Sequence, residues 1–168
     1  MRQEQLTKTD MEKIQAEIDD RILVQRPKLI ADLKEARSHG DLSENFEYYA
    51  AKREKNQNES RIRYLQNMLK NARLVDDTNE TGVVSLNNTV TYYIPEDDME
   101  ETVKIVTSIR GNSLKGKISN ESPVGQALMG HKVGDTCRVE LANGGSYEIK
   151  IVSLDQTTGD EEDAIRKF

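Results

Sequence analysis

The chain has little of the material from which a large globular core is built. It contains no tryptophan, and aromatic residues make up 5% and hydrophobic residues 35% of its 168 positions. Its single cysteine, Cys137, excludes an internal disulfide and favours a reducing compartment. No apolar run approaches the roughly 20 residues that a membrane-spanning helix needs. The net charge of -6 excludes a protein that binds nucleic acid through an overall basic surface, although local basic patches can still do so. We therefore expect a soluble cytoplasmic protein with an elongated element and a small domain.

Charge and helical periodicity dominate the first half of the chain. Apolar residues at steps of three and four predict one helix over about residues 6–37 and another over about residues 44–73. Pro27 lies inside the first run. Because proline cannot donate a backbone hydrogen bond, we expect a kink or a local break at residues 26–27.

The apolar positions of the two helices are nearly mirror-symmetric about Leu42, which predicts an antiparallel coiled-coil hairpin. Two polar members of the seam, Lys55 and Asn58, are expected to face residues 26–27, the weakest layer. The predicted seam comprises Met11, Ile14, Ile18, Ile22, Leu29, Leu33 and Ala36 on the first arm, and Tyr48, Ala51, Lys55, Asn58, Ile62, Leu65, Leu69 and Ala72 on the second.

Beyond residue 80 the apolar residues alternate with polar ones, which predicts a small sheet. Asn143-Gly144-Gly145 is a strong hairpin signal, and Ser122-Pro123 predicts the start of a short helix. The predicted strands cover residues 89–94, 102–106, 117–119, 135–141 and 146–152. The fold class is α+β: an N-terminal antiparallel α-helical coiled-coil hairpin followed by a small, mostly antiparallel β-sheet domain with one short helix.

Three parts are predicted along the chain. Residues 1–77 form the coiled-coil domain with an acidic tip, residues 78–155 form the sheet domain, and residues 156–168 form a polar, mobile tail.

Two carboxylates, Asp41 and Glu44, lie at the turn between the predicted helices. Their spacing matches a capping box, in which each side chain accepts a hydrogen bond from the backbone, and that explanation requires no function. The alternative is that both supply oxygen ligands to a Mg²⁺ ion, which commonly takes one or two protein carboxylates and fills its other positions with water and phosphate. Two acids alone do not make a tight site, so a partner would have to complete the coordination shell.

Basic residues flank this turn, with Arg37 on the first arm and Lys52, Arg53 and Lys55 on the second. Each is explained by an ordinary solvated helix face, but together they could contact the phosphates of a nucleic acid. Ser43 has no neighbouring histidine base, which argues against a serine hydrolase. The sequence contains no P-loop, no zinc-spaced Cys/His set and no dinucleotide fingerprint.

Two separated blocks of the sequence resemble a known family. The first is Ala36-Arg37-Ser38-His39-Gly40-Asp41-Leu42-Ser43-Glu44-Asn45, and the second runs from Gly116 through Ser122-Pro123 to Leu128. Both closely resemble bacterial transcript cleavage factors of the GreA/GreB family, and the match covers most of residues 6–155. The resemblance implies that the sheet domain has an FKBP-like fold, without implying prolyl isomerase activity.

A factor of this family binds bacterial RNA polymerase, inserts its coiled coil into the secondary channel and stimulates the polymerase's own cleavage of backtracked RNA. The resemblance implies that Asp41 and Glu44 help to hold a Mg²⁺ ion in the polymerase active centre, with Ser43 as a weaker aid in positioning water. The polymerase remains the enzyme, and the chain is expected to bring no cofactor of its own.

The resemblance also implies roles for residues outside the acidic turn. Arg37, Lys52 and Arg53 are expected to contact the nascent RNA, and Ser122 and Pro123 are expected to dock on the polymerase. The chain is expected to act as a monomer and without a membrane.

Phe46 departs from the family, which usually has alanine beside the acids. It keeps open a rival function, that of a secondary-channel regulator or inhibitor that binds polymerase without stimulating cleavage. A prolyl isomerase or chaperone with a helical arm is a more remote alternative, since the sheet domain has few aromatic residues for an apolar pocket. A stand-alone nuclease is least favoured, because two exposed carboxylates cannot hold two metal ions.

Overall fold

The structure, a computed structural model, describes residues 3–40, 45–157, 159 and 163–167. Contacts divide the chain into two compact units. One contains residues 10–72 and is helical, and the other combines residues 5–9 with the chain from residue 73 onward and is built on a β-sheet.

The helical unit is a hairpin of two arms. The first arm consists of α1, Lys8–Asp20, a π-helical turn, Arg21–Gln25, and α2, Arg26–Arg37. The second arm is α3, Phe46–Lys70, which packs against α2. The predicted antiparallel helical hairpin is confirmed.

The seam between the arms buries the residues that the sequence assigns to it. Every predicted seam position is buried or half-buried, and the most deeply buried apolar members are Ile14, Ile18, Ala36, Ile62 and Leu65. Each isoleucine or leucine buried in this way contributes about 1.5–3 kcal/mol to folding. The hairpin is therefore held together by packing along its length, since most helical stability in proteins comes from an apolar face.

The predicted break at residues 26–27 is wrong in its position. The helix continues through Pro27, and the irregularity is the π-helical turn before it, where the Arg26 N–H donates to the Arg21 carbonyl. The ring of a helical proline clashes with the carbonyl four residues earlier, which here belongs to Leu23. That carbonyl lies inside the π-helical turn, whose wider winding relieves the clash without ending the arm.

Asn58 is also placed differently from the prediction. It is 4% exposed, and its Oδ1 accepts from Arg21 Nη1 at 3.0 Å while its Nδ2 donates to the Arg21 carbonyl at 3.2 Å. Asn58 therefore faces the π-helical turn and not residues 26–27. Its neighbour Glu59 binds the guanidinium of Arg26 at 2.7 and 3.0 Å. The hydrogen bonds of Asn58 with Arg21 and of Glu59 with Arg26 fix the register of the two arms.

A buried ionic layer adjoins Asn58. Arg61 is 6% exposed and donates to both carboxylate oxygens of Glu17, at 2.9 and 3.3 Å, and Arg21 Nε donates to the same carboxylate at 2.9 Å. Burial raises the pKa of Glu17, but the hydrogen bonds from Arg61 and Arg21 lower it by a larger amount, so the pKa lies below its ordinary value. The carboxylate is held in its charged form between the arms.

The elements of the second unit are β1 Gln5–Leu6, β2 Arg73–Leu74, β3 Thr89–Ile94, β4 Met99–Val106, β5 Lys117–Ser119, α4 Pro123–Leu128, β6 Thr136–Glu140 and β7 Ser146–Asp155. Five of the strands form a sheet of order β5-β4-β3-β7-β6. Within it β4 and β5 pair in parallel and the other three pairings are antiparallel, which confirms the predicted, mostly antiparallel sheet. A short parallel pair, β1 with β2, precedes it in the chain.

The core of this unit lies on one face of the sheet, where alternate residues of each strand point inward. Val90, Ile105 and Ile149 are fully buried there, together with Leu128 of α4. Cys137 is part of the same core and is a free thiol. In the described part of the chain, no helix is long and apolar enough to cross a membrane.

The described residues of the predicted tail make specific contacts with the sheet unit. Asp163 is 3% exposed, and its carboxylate lies 2.6 Å from Lys117 Nζ, 2.8 Å from Arg110 Nη1 and 2.9 Å from Lys104 Nζ. Arg110 is itself only 1% exposed. We call these four residues the tail cluster. The mobility of the rest of the tail stays a prediction.

Candidate functional site

The candidate site is the turn that joins the two arms of the hairpin. The described chain leaves α2 through Ser38, His39 and Gly40 and resumes at Asn45 before α3. Gly40 has a φ of 129°, a backbone conformation that glycine adopts without strain. The predicted acids Asp41 and Glu44, the capping box assigned to them, and Ser43 lie outside the described residues.

Asn45 closes the base of this turn. Its Oδ1 accepts from the Tyr48 N–H at 3.0 Å, which makes it the N-cap of α3, and its Nδ2 donates to the Ala36 carbonyl at 2.6 Å. One side chain thus caps the second arm and ties it to the last turn of the first. This role of Asn45 was not predicted from the sequence, although an asparagine immediately before a helical run is a recognised N-cap signal.

A second link crosses the turn next to Asn45. His39 Nδ1 lies 2.6 Å from Glu47 Oε2, and both side chains are exposed. The hydrogen bond to Glu47 raises the pKa of His39 above its ordinary value, so the pair favours the charged imidazolium. Together the two links bring the ends of the arms close on both sides of residues 41–44.

Cations and aromatic rings lie together on the same end of the hairpin. The Arg37 guanidinium lies 5.6 Å from the centroid of the Tyr48 ring, and the Lys52 ammonium lies 6.0 Å from it. The Tyr49 ring meets Tyr48 edge-on at a centroid separation of 5.6 Å. Cation–π and edge-to-face contacts of this geometry are attractive, so the side chains support one another. We call Arg37, Tyr48, Tyr49 and Lys52 the tip cluster.

The structure therefore brings together two of the three predicted RNA-contacting residues. Arg37 and Lys52 share the Tyr48 ring, whereas Arg53 is exposed on α3 with no described contact to that ring. Among the residues that the structure describes, which omit the acidic turn, no group of three or more His, Cys, Asp or Glu is placed to hold a metal ion. Asp41 and Glu44, the predicted Mg²⁺ ligands, lie outside that part of the chain, so their role stays a prediction.

The second predicted surface, Ser122 and Pro123, begins α4 in the sheet unit. Ser122 Oγ accepts from the Gly125 N–H at 3.1 Å and donates to the Ser119 carbonyl at 2.6 Å, while Pro123 is exposed at the first helical position. A Cβ on Gly125 would lie 2.1 Å from the Ser119 carbonyl oxygen, so only glycine fits there. The loop is held rigidly, and its role in docking stays a prediction.

Replacing Asn45 with alanine is expected to speed amide exchange in the first turn of α3, at Tyr48 above all. The change removes both the cap and the link to Ala36, and loss of an N-cap costs about 1 kcal/mol. Hydrogen exchange of the Tyr48 amide measures it.

Asn45→Asp is the matched control, since aspartate keeps the capping acceptor but cannot donate to Ala36. Protection at Tyr48 that survives in the aspartate variant and falls in the alanine variant supports the capping role. Equal exchange in the alanine variant and the unchanged protein contradicts it.

Two family models match the chain. The one described as "Transcription elongation factor, N-terminal" matches residues 4–74, and the one described as "Transcription elongation factor, GreA/GreB, C-term" matches residues 79–156. The two matches leave the chain beyond residue 156 outside the family models.

Individual relatives cover nearly the whole chain. Transcription elongation factor GreA of Staphylococcus aureus strain JH9 is 42% identical over 149 residues, which is 89% of this chain and 94% of that protein. Among solved structures, GreA factor homolog 1 of Thermus thermophilus is 28% identical over 91% of this chain and 99% of its own, with a TM-score of 0.42. A GreA/GreB elongation factor of Nitrosomonas europaea is 19% identical over 92% of this chain and 99% of its own, with a TM-score of 0.39.

Proposed function

Since this chain belongs to the GreA/GreB family of transcription elongation factors, we propose that it binds bacterial RNA polymerase and stimulates the polymerase's own cleavage of backtracked RNA. It acts as a monomer in the cytoplasm, where it meets the elongation complex. The polymerase performs the hydrolysis, and this chain completes the site.

The observation that supports the proposal is the way the two arms are joined at their ends. The Asn45 hydrogen bond to the Ala36 carbonyl ties the start of α3 to the end of α2, and the tip cluster holds cations at that end of the hairpin. A helical hairpin whose connecting residues include two acids, with basic side chains on the adjoining helix turns, is suited to reach a recessed site that holds both metal and nucleic acid.

Within that site, Asp41 and Glu44 contribute carboxylate oxygens beside the polymerase's own acids. When bound there, a Mg²⁺ ion would lower the pKa of a water and stabilise the leaving oxygen. Ser43 donates a hydrogen bond that orients the attacking water. Magnesium dehydrates reluctantly and is usually held by one or two carboxylates with substrate phosphate, so two tip acids suffice only with the polymerase present.

The basic residues hold the RNA strand during this step. Arg37 and Lys52 are fixed against Tyr48, and Arg53 is free to reach outward from α3. Contacts from such cations to phosphates position a nucleic acid without reading its sequence. Ser122 and Pro123, on the rigid loop before α4, contact the polymerase and orient the factor.

A second candidate function is supported by Phe46. Its side chain is 85% exposed immediately after the acidic turn, and a bulky ring there could obstruct the chemistry. The protein would then be a secondary-channel regulator that binds polymerase without promoting cleavage.

Transcript cleavage in purified, backtracked elongation complexes separates the two. With Mg²⁺ present, we expect the protein to release a 3′ RNA fragment from backtracked complexes and none from complexes whose RNA end is in register. Binding that slows elongation and releases no fragment would establish the inhibitory function. Absence of binding would refute both.

A further inference from the structure

One exposed face of α3 carries two aromatic rings and a cation. Phe46, Tyr49 and Arg53 are separated by three and four residues, the spacing that places side chains on the same helix face about 5–6 Å apart. Phe46 is 85% and Tyr49 48% exposed, and Arg53 is exposed too. We call these three residues the aromatic face.

A single exposed ring needs no functional explanation, because folded surfaces are normally more than half apolar. The aromatic face differs in two respects. Its two rings are three residues apart on one side of the helix, and the Tyr49 ring meets the Tyr48 ring edge-on, while the Tyr48 ring itself lies beside Arg37 and Lys52. The face therefore combines exposed aromatic rings with neighbouring positive charge.

This combination matches the chemistry of single-stranded nucleic acid. Bases offer flat faces that stack on aromatic rings, and phosphates pair with nearby cations, while stacking tolerates any sequence. An acidic protein surface would satisfy the cations but would present no series of flat faces. Charge and shape together therefore favour a nucleic acid strand over a protein partner.

We infer that Phe46 and Tyr49 stack against bases of the extruded 3′ segment of a backtracked RNA, while Arg53 contacts its phosphates. The inference rests on the proposed function, because it needs an RNA strand within reach of the hairpin tip. It adds to that function a preference for the backtracked complex, since only there are unpaired bases available to stack. Phe46, which could obstruct cleavage, becomes instead part of the surface that receives the strand.

The first test compares affinities for two elongation complexes, one backtracked and one with no extruded RNA. Binding is measured by competition with labelled factor, with Mg²⁺ withheld so that no RNA is cleaved. Phe46→Leu and Tyr49→Leu should weaken binding to the backtracked complex about fivefold or more and leave binding to the other complex unchanged. Phe46→Tyr and Tyr49→Phe, which keep a ring, are the matched controls and should bind as the unchanged protein does.

The second test removes the base instead of the ring. An abasic nucleotide at the extruded position should weaken binding of the unchanged protein. In the double variant with Phe46→Leu and Tyr49→Leu, the abasic nucleotide should cause little further loss of affinity. Non-additive losses show that ring and base act together, whereas additive losses overturn the inference. Equal weakening of both complexes by the leucine variants also overturns it, because the rings would then contact polymerase.

The outcomes distinguish this inference from the proposed function. Ring-dependent affinity for extruded bases, without fragment release once Mg²⁺ is restored, would support stacking and refute cleavage stimulation. Fragment release with no loss of affinity in the leucine variants would support cleavage stimulation and refute stacking.

Discussion

Replacing Asp41 with asparagine, or Glu44 with glutamine, is expected to lower factor-stimulated RNA cleavage at least about tenfold. Each change keeps the size of the side chain but removes the negative charge that Mg²⁺ binding requires. Loss of even a group that supports a metal ligand typically costs tenfold or more, and a ligand itself should cost no less. Single-turnover cleavage at saturating factor measures the effect, and raising the Mg²⁺ concentration should restore part of the rate.

Binding to polymerase should not change in these variants, because the role proposed for the two acids is to bind the metal and not to dock the factor. Glu54→Gln is the matched control: Glu54 is an exposed acid on α3, and its loss changes net charge by the same amount. Cleavage that persists at the full rate in both tip variants would refute the proposed role of the two acids.

Replacing Asp163 with asparagine is expected to destabilise the sheet unit by about 3–5 kcal/mol, the cost of removing one partner from a buried ion pair. The change leaves Lys104, Arg110 and Lys117 without their shared counter-charge, and the Arg110 side chain is fully buried. That loss is a large part of the 5–15 kcal/mol by which native proteins are stable. Hydrogen exchange of the β3 and β4 amides measures the change, because β3 is the middle strand of the sheet and β4 lies beside it. Amides in such core strands are expected to exchange mainly when the whole unit unfolds.

The same carboxylate should make the stability of the sheet unit sensitive to acid. Burial raises the pKa of Asp163, but hydrogen bonds from Lys117 and Lys104, the positive charge of Lys104 and the hydrogen bond from Arg110 lower it from 3.8 to about 2. Because the folded pKa is depressed, the stabilisation is complete above pH 3.8 and is lost as pH falls through 2. The loss amounts to about 2 kcal/mol. In the asparagine variant the part of the acid dependence that Asp163 contributes should disappear.

Glu148→Gln is the control for Asp163, because Glu148 is an exposed acid on β7. It should leave both the stability and its pH profile unchanged. If Asp163→Asn behaves like Glu148→Gln, the tail cluster does not contribute to folding, and the tail is only a surface segment.

Where local pattern determines structure, the sequence predicted the fold well. The alternation over Thr89–Ile94 became a central strand, and the polar residues after it became the turn to β4. Ser122 caps the short helix at Pro123 as expected, and Asn143-Gly144-Gly145 connects β6 to β7. These features depend on neighbours within a few residues, so propensity and turn chemistry suffice.

Features that depend on distant partners were missed. Asp163 lies 53 residues from Arg110 in the sequence, and no local pattern in an acidic tail predicts a buried cluster of charged residues. Arg61 likewise finds Glu17 across the hairpin, 44 residues away. A heptad pattern gives the face of a helix but not its local winding, so the π-helical turn and the position of Asn58 could not be derived from spacing.

The candidate site was predicted in part. The basic residues were identified as a group, but the sequence could not show that Tyr48 would bring Arg37 and Lys52 together, since that depends on the register of the arms. Asn45 was overlooked because Asp41 and Glu44 offered an equally good capping pattern four residues earlier. When two N-cap patterns overlap in a sequence, only the backbone conformation at the start of the helix shows which residue is the cap.

The tail cluster limits where the chain can be cut when domains are exchanged between members of the family. Lys104, Arg110 and Lys117 lie within the segment that matches the family, whereas Asp163 lies beyond it. A hybrid that joins this sheet unit to the arms of another member, and ends it where the family match ends, would inherit three clustered cations and lose their counter-charge. Such a hybrid has to extend through residue 163, or change Arg110 at the same time, because removing the carboxylate that pairs with a buried guanidinium is costly.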